Sequence, residues 1–371
     1  MSEEIAIGNT VSVPGGIQYG KWEAFKHPTG HIEFLPVIIA QGVEEGPCLW
    51  LTSGIHGPEH TGPLVIYELI TQNLVKIMKG TIIAVPALSP AGLRTARRDP
   101  YHAQKDPNRL WPEEKSPKED PDEERPSSLE LAYQRLFDEV AATADYLIDF
   151  HNAWIGSLSF VFRDRVLYQS GKNEEKKKAS ELAEILDEMV KAYGHTIINE
   201  YPAHKYIDEK LHRSVAGSVL LKGKIPSFTA ELGTGLMPDP VIIAAACAGT
   251  RNVMRWAGML GDEKEKIRGI PLIDAGFPVR RMCTPCVKEA CIVQHLVQPG
   301  DLIRKDDPVA ETRDVWGRPQ NSGVIHSEYE GFVIGREHGI YFYPGNPILT
   351  MAVKDEAPLV DVYPENYFKN K

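Results

Sequence analysis

The segment CLWLTSGIHGPEH, residues 48–60, decides the fold of this chain. Its first six residues form an apolar run of strand length, and the glycines at 54 and 57 mark a turn directly after it. A helical pattern of apolar residues follows over 62–79. A strand that leads through a glycine-rich turn into a helix is the repeating unit of an α/β sheet.

The same alternation continues on both sides of this segment. The first 40 residues have the alternating pattern of meandering strands, and three further β-rich runs are separated by periodic helical segments. The further strands are predicted at 81–88, 145–153 and 227–233, and the further helices at 128–144, 172–193 and about 239–260. We therefore predict an α/β fold with a mixed, partly parallel sheet flanked by helices.

The residue pattern of the sequence changes after the last of these helices. From Gly269 onward, short β-like runs alternate with turn signals such as QPGD at 298–301. We predict a larger α/β domain over 1–265 and a smaller, all-β, barrel-like domain over 266–371. The charged, proline-rich segment 113–128 is predicted to be an exposed connector, with a lid over a pocket as the alternative.

Composition restricts the class of partner and the compartment. A net charge of −10 disfavours nucleic acid and anionic membranes, and no apolar run approaches the ~20 residues of a membrane span. The start MSEEIAIGNT lacks the features of a secretory signal, and five cysteines, an odd number, fit reduced thiols. We expect a cytoplasmic protein, and we interpret the cysteines of CTPCVKEAC, 283–291, as thiols in strands rather than a zinc site.

A candidate metal site stands at the ends of two predicted strands. His56 and Glu59 follow the first strand, and His151 ends the strand at 145–153. Ligand sites of open α/β sheets form where strands end, and neighbouring strands would bring His151 beside the other two. Two histidines and one carboxylate are a catalytic zinc set that keeps one position open for water.

The loop DPNRLWP adds polar groups that suit an anionic ligand. Arg109 can grip a carboxylate with two hydrogen bonds and Asn108 can add another, while Arg97 and Arg98 lie just upstream. This composition indicates a carboxylate-bearing substrate. The alternative is that the arginines pair with the acidic segment 113–124.

Two acidic residues stand near predicted strand ends. Glu231 in AELGTG could accept a proton from a metal-bound water and pass it to a leaving amine, or it could be a helix cap or a salt-bridged residue. Asp149 lies two residues before His151. We place Asp149 on the opposite side of its strand, as a structural residue outside the site.

Four short motifs follow one another along the chain: S-G-x-H-G-x-E, D-P-N-R, D-F-H and E-L-G-T-G. In this order they resemble the succinylglutamate desuccinylase/aspartoacylase family, which belongs with the zinc carboxypeptidases. The resemblance covers about 48–260. It implies one zinc ion per chain, held by His56, Glu59 and His151. It further implies that Glu231 is the general base and acid, that Asn108 and Arg109 hold the substrate carboxylate, and that Arg98, favoured over Arg97, polarises the carbonyl.

The resemblance also implies an activity, a zinc-dependent amidohydrolase that removes the acyl group from an N-acylated amino acid or a related small carboxylate. A metallocarboxypeptidase that releases a C-terminal residue uses the same parts and is the alternative. A non-catalytic ligand-binding protein on the same scaffold is the second alternative. The β-rich tail resembles the smaller β domain of such enzymes, and we interpret it as a structural or oligomerising cap, which leaves room for a homo-oligomer.

Overall fold

The computed structural model describes residues 4–115, 125–153, 156–261 and 263–368, and its main feature is a twelve-stranded sheet. The strands are β1 Ala6–Ile7, β2 Thr10–Val11, β3 Gly16–Lys26, β4 Ile32–Gln41, β5 Glu44–Ser53, β6 Lys79–Val85, β7 Tyr146–Ala153, β8 Ser159–Arg163, β9 Val166–Tyr168, β10 Thr196–Asn199, β11 Ser227–Thr234, β12 Val279–Cys283, β13 Cys291–His295, β14 Leu302–Ile303, β15 Pro308–Arg313, β16 Pro319–His326, β17 Gly331–Arg336, β18 Tyr341–Phe342, β19 Leu349–Lys354 and β20 Val360–Val362.

The helices cover both faces of the sheet. The α-helices are α1 Thr61–Leu69, α2 Gln72–Ile77, α3 Pro90–Thr95, α4 Ser128–Thr143, α5 Asn173–Tyr193, α6 Ala203–Asp208, α7 Val215–Leu221 and α8 Pro240–Trp256, and two short 3₁₀ helices are η1 Pro107–Arg109 and η2 Leu211–Arg213. Side chains of α1, α5 and α8 share one buried cluster with the sheet, and side chains of α4 and α7 share another on the opposite face.

The middle of the large sheet is parallel. Its order is β14-β17-β19-β12-β10-β8-β11-β7-β5-β6-β4-β3, and β11, β7, β5 and β6 are parallel neighbours. Strand β8 is antiparallel to β11, so the sheet is mixed, as predicted. In β5, Leu49 and Leu51 pack on one face and Trp50 on the other, because side chains alternate along a strand that helices cover on both faces.

Local signals account for where the helices begin and break. Ser127 and Glu130 form a reciprocal capping box at the start of α4, and Asp239 caps α8. The helix predicted over 62–79 is two helices, because Thr71 adopts an extended conformation and caps α2 by accepting a hydrogen bond from the Leu74 amide. The predicted connector or lid at 113–128 lies largely outside the described residues, which resume at 125.

Strands β12 to β19 pair with one another in antiparallel fashion and divide between two sheets, and β20 pairs in parallel with β9 in a separate sheet. Strands β12, β14, β17 and β19 extend the large sheet, whereas β13, β15, β16 and β18 form a four-stranded sheet. Strand β12 joins the strands that precede position 265 through its pairing with β10, where Arg280 lies opposite Asn199. The large sheet therefore runs across position 265, and the division of the chain there stays a prediction. In the part of the chain that is described, no helix is both long and apolar enough to cross a membrane.

Candidate active site

The candidate site lies where three adjacent parallel strands end. His56 and Glu59 follow β5, His151 stands near the end of β7, and Glu231 stands near the end of β11. Glu231 lies directly opposite His151 in the parallel pair, so both side chains project from the same face of the sheet. The turn after β5 requires glycine at 57, because a Cβ there would collide with the carbonyl oxygens of Gly92 and Arg97.

The three sequence-predicted metal ligands form one buried cluster. His56 Nδ1 lies 2.6 Å from Glu59 Oε1, and His151 Nδ1 lies 2.8 Å from Glu59 Oε2. One donor atom from each residue lies within 4.8 Å of the others. Two imidazole nitrogens and a carboxylate are donors that zinc prefers, and three protein ligands leave one position for water or substrate. The donor set therefore fits a catalytic zinc ion.

Two aspartates hold the outer nitrogens of the two imidazoles. His56 Nε2 lies 3.0 Å from Asp106 Oδ1, and His151 Nε2 lies 2.6 Å from Asp149 Oδ2. Asp149 in turn accepts a 2.7 Å hydrogen bond from the hydroxyl of Thr52. A carboxylate on the outer nitrogen fixes the ring so that the other nitrogen faces the cluster, an arrangement typical of metal-binding histidines.

The prediction for Asp149 is therefore wrong. Residues two apart in a strand project from the same face, so Asp149 and His151 point to the same side of β7. Asp149 is fully buried and belongs to the site as the residue that orients His151.

The charges of the cluster are strongly coupled. Burial alone would lower the pKa of His56 and His151, but neighbouring carboxylates outweigh burial and raise the pKa of both. Burial alone would raise the pKa of Glu59, but the two imidazoles outweigh it and hold that pKa well below its ordinary value. A metal ion must displace the protons held by these imidazoles, which makes metal affinity fall at acidic pH.

Arg98 reaches the cluster from the solvent side. Its Nε and Nη2 donate to Asp106 Oδ2 at 3.2 and 2.7 Å, and its Nη1 lies 3.5 Å from His56 Nδ1. The side chain is 52% exposed, so Nη1 stands between the cluster and solvent. Arg97 is exposed, and its carbonyl accepts a hydrogen bond from Gly57. Of the two arginines, Arg98 is therefore the one whose guanidinium lies next to the cluster.

Asn108 and Arg109 lie in η1, beside the cluster. The amide of Asn108 is held through its Oδ1, which accepts a hydrogen bond from the Val215 backbone at 2.8 Å, and its Nδ2 lies 3.5 Å from His151 Nε2. Arg109 donates from Nε to the carbonyl of Glu209 at 2.8 Å and from Nη1 to the carbonyl of Asn108 at 2.7 Å. These contacts hold the guanidinium in place beside the pocket.

The described part of the acidic segment has other partners. Glu113 pairs with His212 at 3.1 Å, and Glu114 pairs with Lys224. The described contacts therefore do not support the alternative in which Arg98 and Arg109 serve to neutralise 113–115.

Glu231 occupies the floor of the site. Its Oε2 is buried and has no hydrogen-bond partner among the described residues. Within the same residues, Glu231 forms no ion pair and caps no helix. Burial raises its pKa to about 7, although the charge of His151 acts in the opposite direction. A buried carboxyl with a free oxygen and a pKa near neutrality is suited to accept and return a proton.

The structure adds three residues to those found from sequence. Asp149 has a signal in the sequence, its spacing of two from His151, and Asp106 has one in its place within D-P-N-R. Arg281 on β12, 50 residues beyond Glu231, lies over the ring of Phe162 on the face that carries Glu231, and no local motif marks it. Its Nη2 donates to Glu200 Oε2 at 2.8 Å.

Comparison with known families gives one match. Residues 45–257, more than half of the chain, match the family model of the succinylglutamate desuccinylase/aspartoacylase catalytic domain. No curated protein matches the chain.

Several solved structures share the fold. A succinylglutamate desuccinylase from a Silicibacter species has 19% identity and a TM-score of 0.68, with coverage of 92% of this chain and 95% of that chain. The product-bound ectoine utilization protein EutE from Ruegeria pomeroyi has 19% identity and a TM-score of 0.68, covering 91% and 95%. An aspartoacylase family protein from Mesorhizobium loti has 16% identity and a TM-score of 0.68, covering 92% and 95%. At these identities the likeness establishes the fold.

Proposed function

Because the chain belongs to the succinylglutamate desuccinylase/aspartoacylase family, we propose that it is a zinc-dependent deacylase that hydrolyses the amide bond of an N-acylated amino acid. The observation that supports this most is the position of Glu231, whose free carboxyl oxygen lies beside the buried cluster of His56, Glu59 and His151. The names of the family and of its solved members, desuccinylase and aspartoacylase, point to the same substrate class.

The proposed roles divide the reaction among the residues of the site. A zinc ion held by His56, Glu59 and His151 would supply a water of lowered pKa and polarise the substrate carbonyl. Glu231 accepts the proton of the attacking water and delivers it to the leaving amine, because its buried Oε2 has no other hydrogen-bond partner in the described part of the chain and faces the cluster side of the sheet. The Nη1 of Arg98, which lies 3.5 Å from His56 Nδ1 at the edge of the cluster, donates to the carbonyl oxygen as negative charge develops there.

The substrate would be held by the η1 segment. Arg109 binds a substrate carboxylate with the part of its guanidinium that is not engaged by backbone carbonyls, and Asn108 adds a polar contact from its fixed amide. We further propose a cytoplasmic location, in keeping with five free cysteines, and a C-terminal region that acts as a structural or oligomerising cap.

The test is amine release from a panel of N-acetyl and N-succinyl amino acids and dipeptides, with zinc-loaded wild type beside Glu231→Gln. We expect wild type to release amine from acylated amino acids. Glu231→Gln should lose ~10²–10⁴-fold in activity while both proteins contain equal amounts of zinc. A chelator should abolish the activity and added zinc should restore it.

Other outcomes would overturn the proposal. Cleavage of the dipeptides alone would identify a carboxypeptidase. Zinc binding without hydrolysis of any panel member would favour a non-catalytic ligand-binding protein. Activity that survives Glu231→Gln would remove the assigned base.

A further inference from the structure

Residues 96–106 form a loop that connects α3 to η1 and carries two residues of the candidate site. Arg98 and Asp106, near the two ends of the loop, are joined by hydrogen bonds of 3.2 and 2.7 Å. Asp106 also holds the outer nitrogen of His56 at 3.0 Å. In a compact loop whose ends meet in this way, the position of the ends depends on the packing of the middle residues.

The middle of this loop packs against the β3–β4 hairpin. The centroid of the His102 ring lies 5.1 Å from that of Phe25, in β3, and 5.3 Å from that of His27, in the turn of the hairpin. Tyr101 and His31 both stack on His27, with ring centroids at 6.4 and 5.7 Å. The ring of His102 therefore docks the loop on the hairpin.

The ring nitrogens of His102 lack polar partners in the described part of the chain. Both nitrogens are buried, and neither makes a hydrogen bond there. The cavity that adjoins the ring is lined by Glu33, Ser89 and Tyr133 among others and has a volume of about 10 Å³, the size of a single water molecule. Since a hydrated counter-ion has no room beside it, the docked ring is accommodated in its neutral form.

The charges that face this ring also oppose a proton on it. Burial lowers the pKa of His102, and the charges of His27 and Arg94 lower it further. Glu33 acts in the opposite direction, but its carboxylate already has partners in His27 Nε2 at 3.1 Å and Arg94 Nη2 at 3.2 Å. Tyr133 of α4 stays uncharged, because burial raises the pKa of its hydroxyl.

The docked loop therefore binds a proton at His102 less tightly than a released loop does. A released loop places the imidazole in water, where its pKa returns to the ordinary 6.5. Docking is then fully favourable above about pH 6.5 and weakens as the pH falls below it. His27, Glu33 and His102 do not bring three donor atoms within 4.8 Å of one another, so the group is not a second metal centre.

We propose that His102 is a positioning residue whose neutral ring docks the 96–106 loop on the β3–β4 hairpin, and whose protonation releases the loop together with Arg98 and Asp106. The effect on catalysis rests on the proposed function, because both of these residues belong to the site described above. The release itself is a property of the fold. It should weaken zinc binding through Asp106 at acidic pH, in addition to the direct competition of protons for the zinc ligands.

Hydrogen exchange measures the release directly. Metal-free wild type, His102→Phe and the control His204→Phe, whose side chain is 81% exposed on α6, are compared at pH 7.5 and 5.5 after correction for the intrinsic effect of pH. Peptides covering 96–106 should lose protection at pH 5.5 in wild type and in the control. They should keep it in His102→Phe, because phenylalanine retains the ring contacts and cannot be protonated. Equal protection of wild type at both pH values, or an equal loss in His102→Phe, overturns the proposal.

Zinc affinity tests the connection between the loop and the site. Competition with a chromogenic chelator gives the affinities of wild type and His102→Phe at both pH values, and their ratio cancels the protonation of the zinc ligands. We expect equal affinities at pH 7.5 and tighter binding by His102→Phe at pH 5.5, by up to ~10–100-fold, the range for loss of an orienting carboxylate. A purely structural role of His102 would change the ratio by the same factor at both pH values, and that result overturns the proposal.

Arg94→Met keeps His102 and tests the proposal even if His102→Phe fails to fold. The Arg94 side chain is 55% exposed, and removal of its charge leaves Glu33 free to compensate an imidazolium. The loop of this variant should lose less protection at pH 5.5 than the wild-type loop, and an equal or greater loss overturns the proposal. None of these measurements needs turnover, so failure to hydrolyse any N-acyl amino acid would remove the proposed function and leave this inference standing.

Discussion

At the scale of single residues, the cost of burying Glu231 yields a prediction about stability. Burial raises the carboxyl pKa from an ordinary 4.5 to about 7, so the folded metal-free protein binds this proton more tightly than the unfolded chain does. The contribution of Glu231 to the free energy of unfolding is therefore lost as pH rises through the window from about 4.5 to 7. By pH 8 the cost is roughly 3 kcal/mol.

Glu231→Gln removes this titration while keeping the shape of the side chain. We expect the variant to raise the unfolding free energy of the metal-free protein at pH 8 by a few kcal/mol, roughly the size of that cost, and much less at pH 5. Urea denaturation of chelator-treated wild type and variant at both pH values measures it. An equal gain at pH 5 and pH 8 would contradict the assigned pKa.

The aspartates behind the histidines give a second prediction at this scale. Asp149→Asn keeps the size of the side chain but removes the charge that faces His151 Nε2, and Asp106→Asn does the same for His56. Each should weaken zinc binding by ~10–100-fold, because the imidazole loses its orienting partner and becomes less basic. Competition with a chromogenic chelator measures the affinity. Asp361→Asn, far along the chain in β20, serves as the control, and unchanged zinc affinity in Asp149→Asn would argue against its role.

At the scale of elements, the segment that leads out of η1 is fastened by the C-terminal end of the chain. Glu113 Oε2 accepts hydrogen bonds from the Tyr367 hydroxyl at 2.9 Å and from His212 Nε2 at 3.1 Å. Trp111 is fully buried in the same segment and stacks on Tyr133 at 5.3 Å. A segment with Asn108 and Arg109 at its start is thus anchored from two sides.

Tyr367→Phe removes one hydrogen bond to a charged acceptor and leaves the stacking of this ring on Tyr363 in place. We expect a loss of ~1.5–3 kcal/mol in the free energy of unfolding and a higher KM with little change in kcat, because the binding segment is held less firmly. Denaturation curves and steady-state kinetics measure both. Tyr341→Phe, whose side chain is 67% exposed, is the matched control. If the two variants behave alike, the Tyr367 contact does not position the segment.

At the scale of the whole molecule, a buried ion pair ties the C-terminal region to the catalytic strands. Arg165 Nη2 lies 2.8 Å from Asp355 Oδ2, and both side chains are almost fully buried. Asp355 also accepts a 2.6 Å hydrogen bond from Asn199, at the end of β10. Together with the β10–β12 pairing, these contacts join the two sides of position 265.

Asp355→Ala leaves a buried guanidinium without its counter-charge. We expect the free energy of unfolding to fall by ~3–5 kcal/mol, and we expect calorimetry to show one transition in wild type because the large sheet is shared. Glu356→Ala, whose side chain is 81% exposed, should change stability by less than ~1 kcal/mol. Two separate transitions in wild type would show that the regions before and after 265 unfold independently.

The sequence by itself determined the α/β class, the strands β5, β6, β7 and β11, the long helices α4, α5 and α8, and the cluster of His56, Glu59 and His151. Those features depend on the local periodicity of apolar residues and on the order of short motifs in the sequence. The position of Asp149 could have been predicted, because residues two apart in a strand project from the same face. The sequence analysis placed Asp149 on the face opposite His151 and so missed its contact with that histidine.

The tertiary structure alone decided how distant segments share one pocket. It brings Arg281 over Phe162, on the face that carries Glu231, and it continues the large sheet past position 265 through β12. It also decided the pKa of Glu231, since burial and nearby charge set that value. The physical reason is the same in each case: pairing of strands far apart in sequence and the packing of side chains between them depend on contacts that leave no local signal in the sequence.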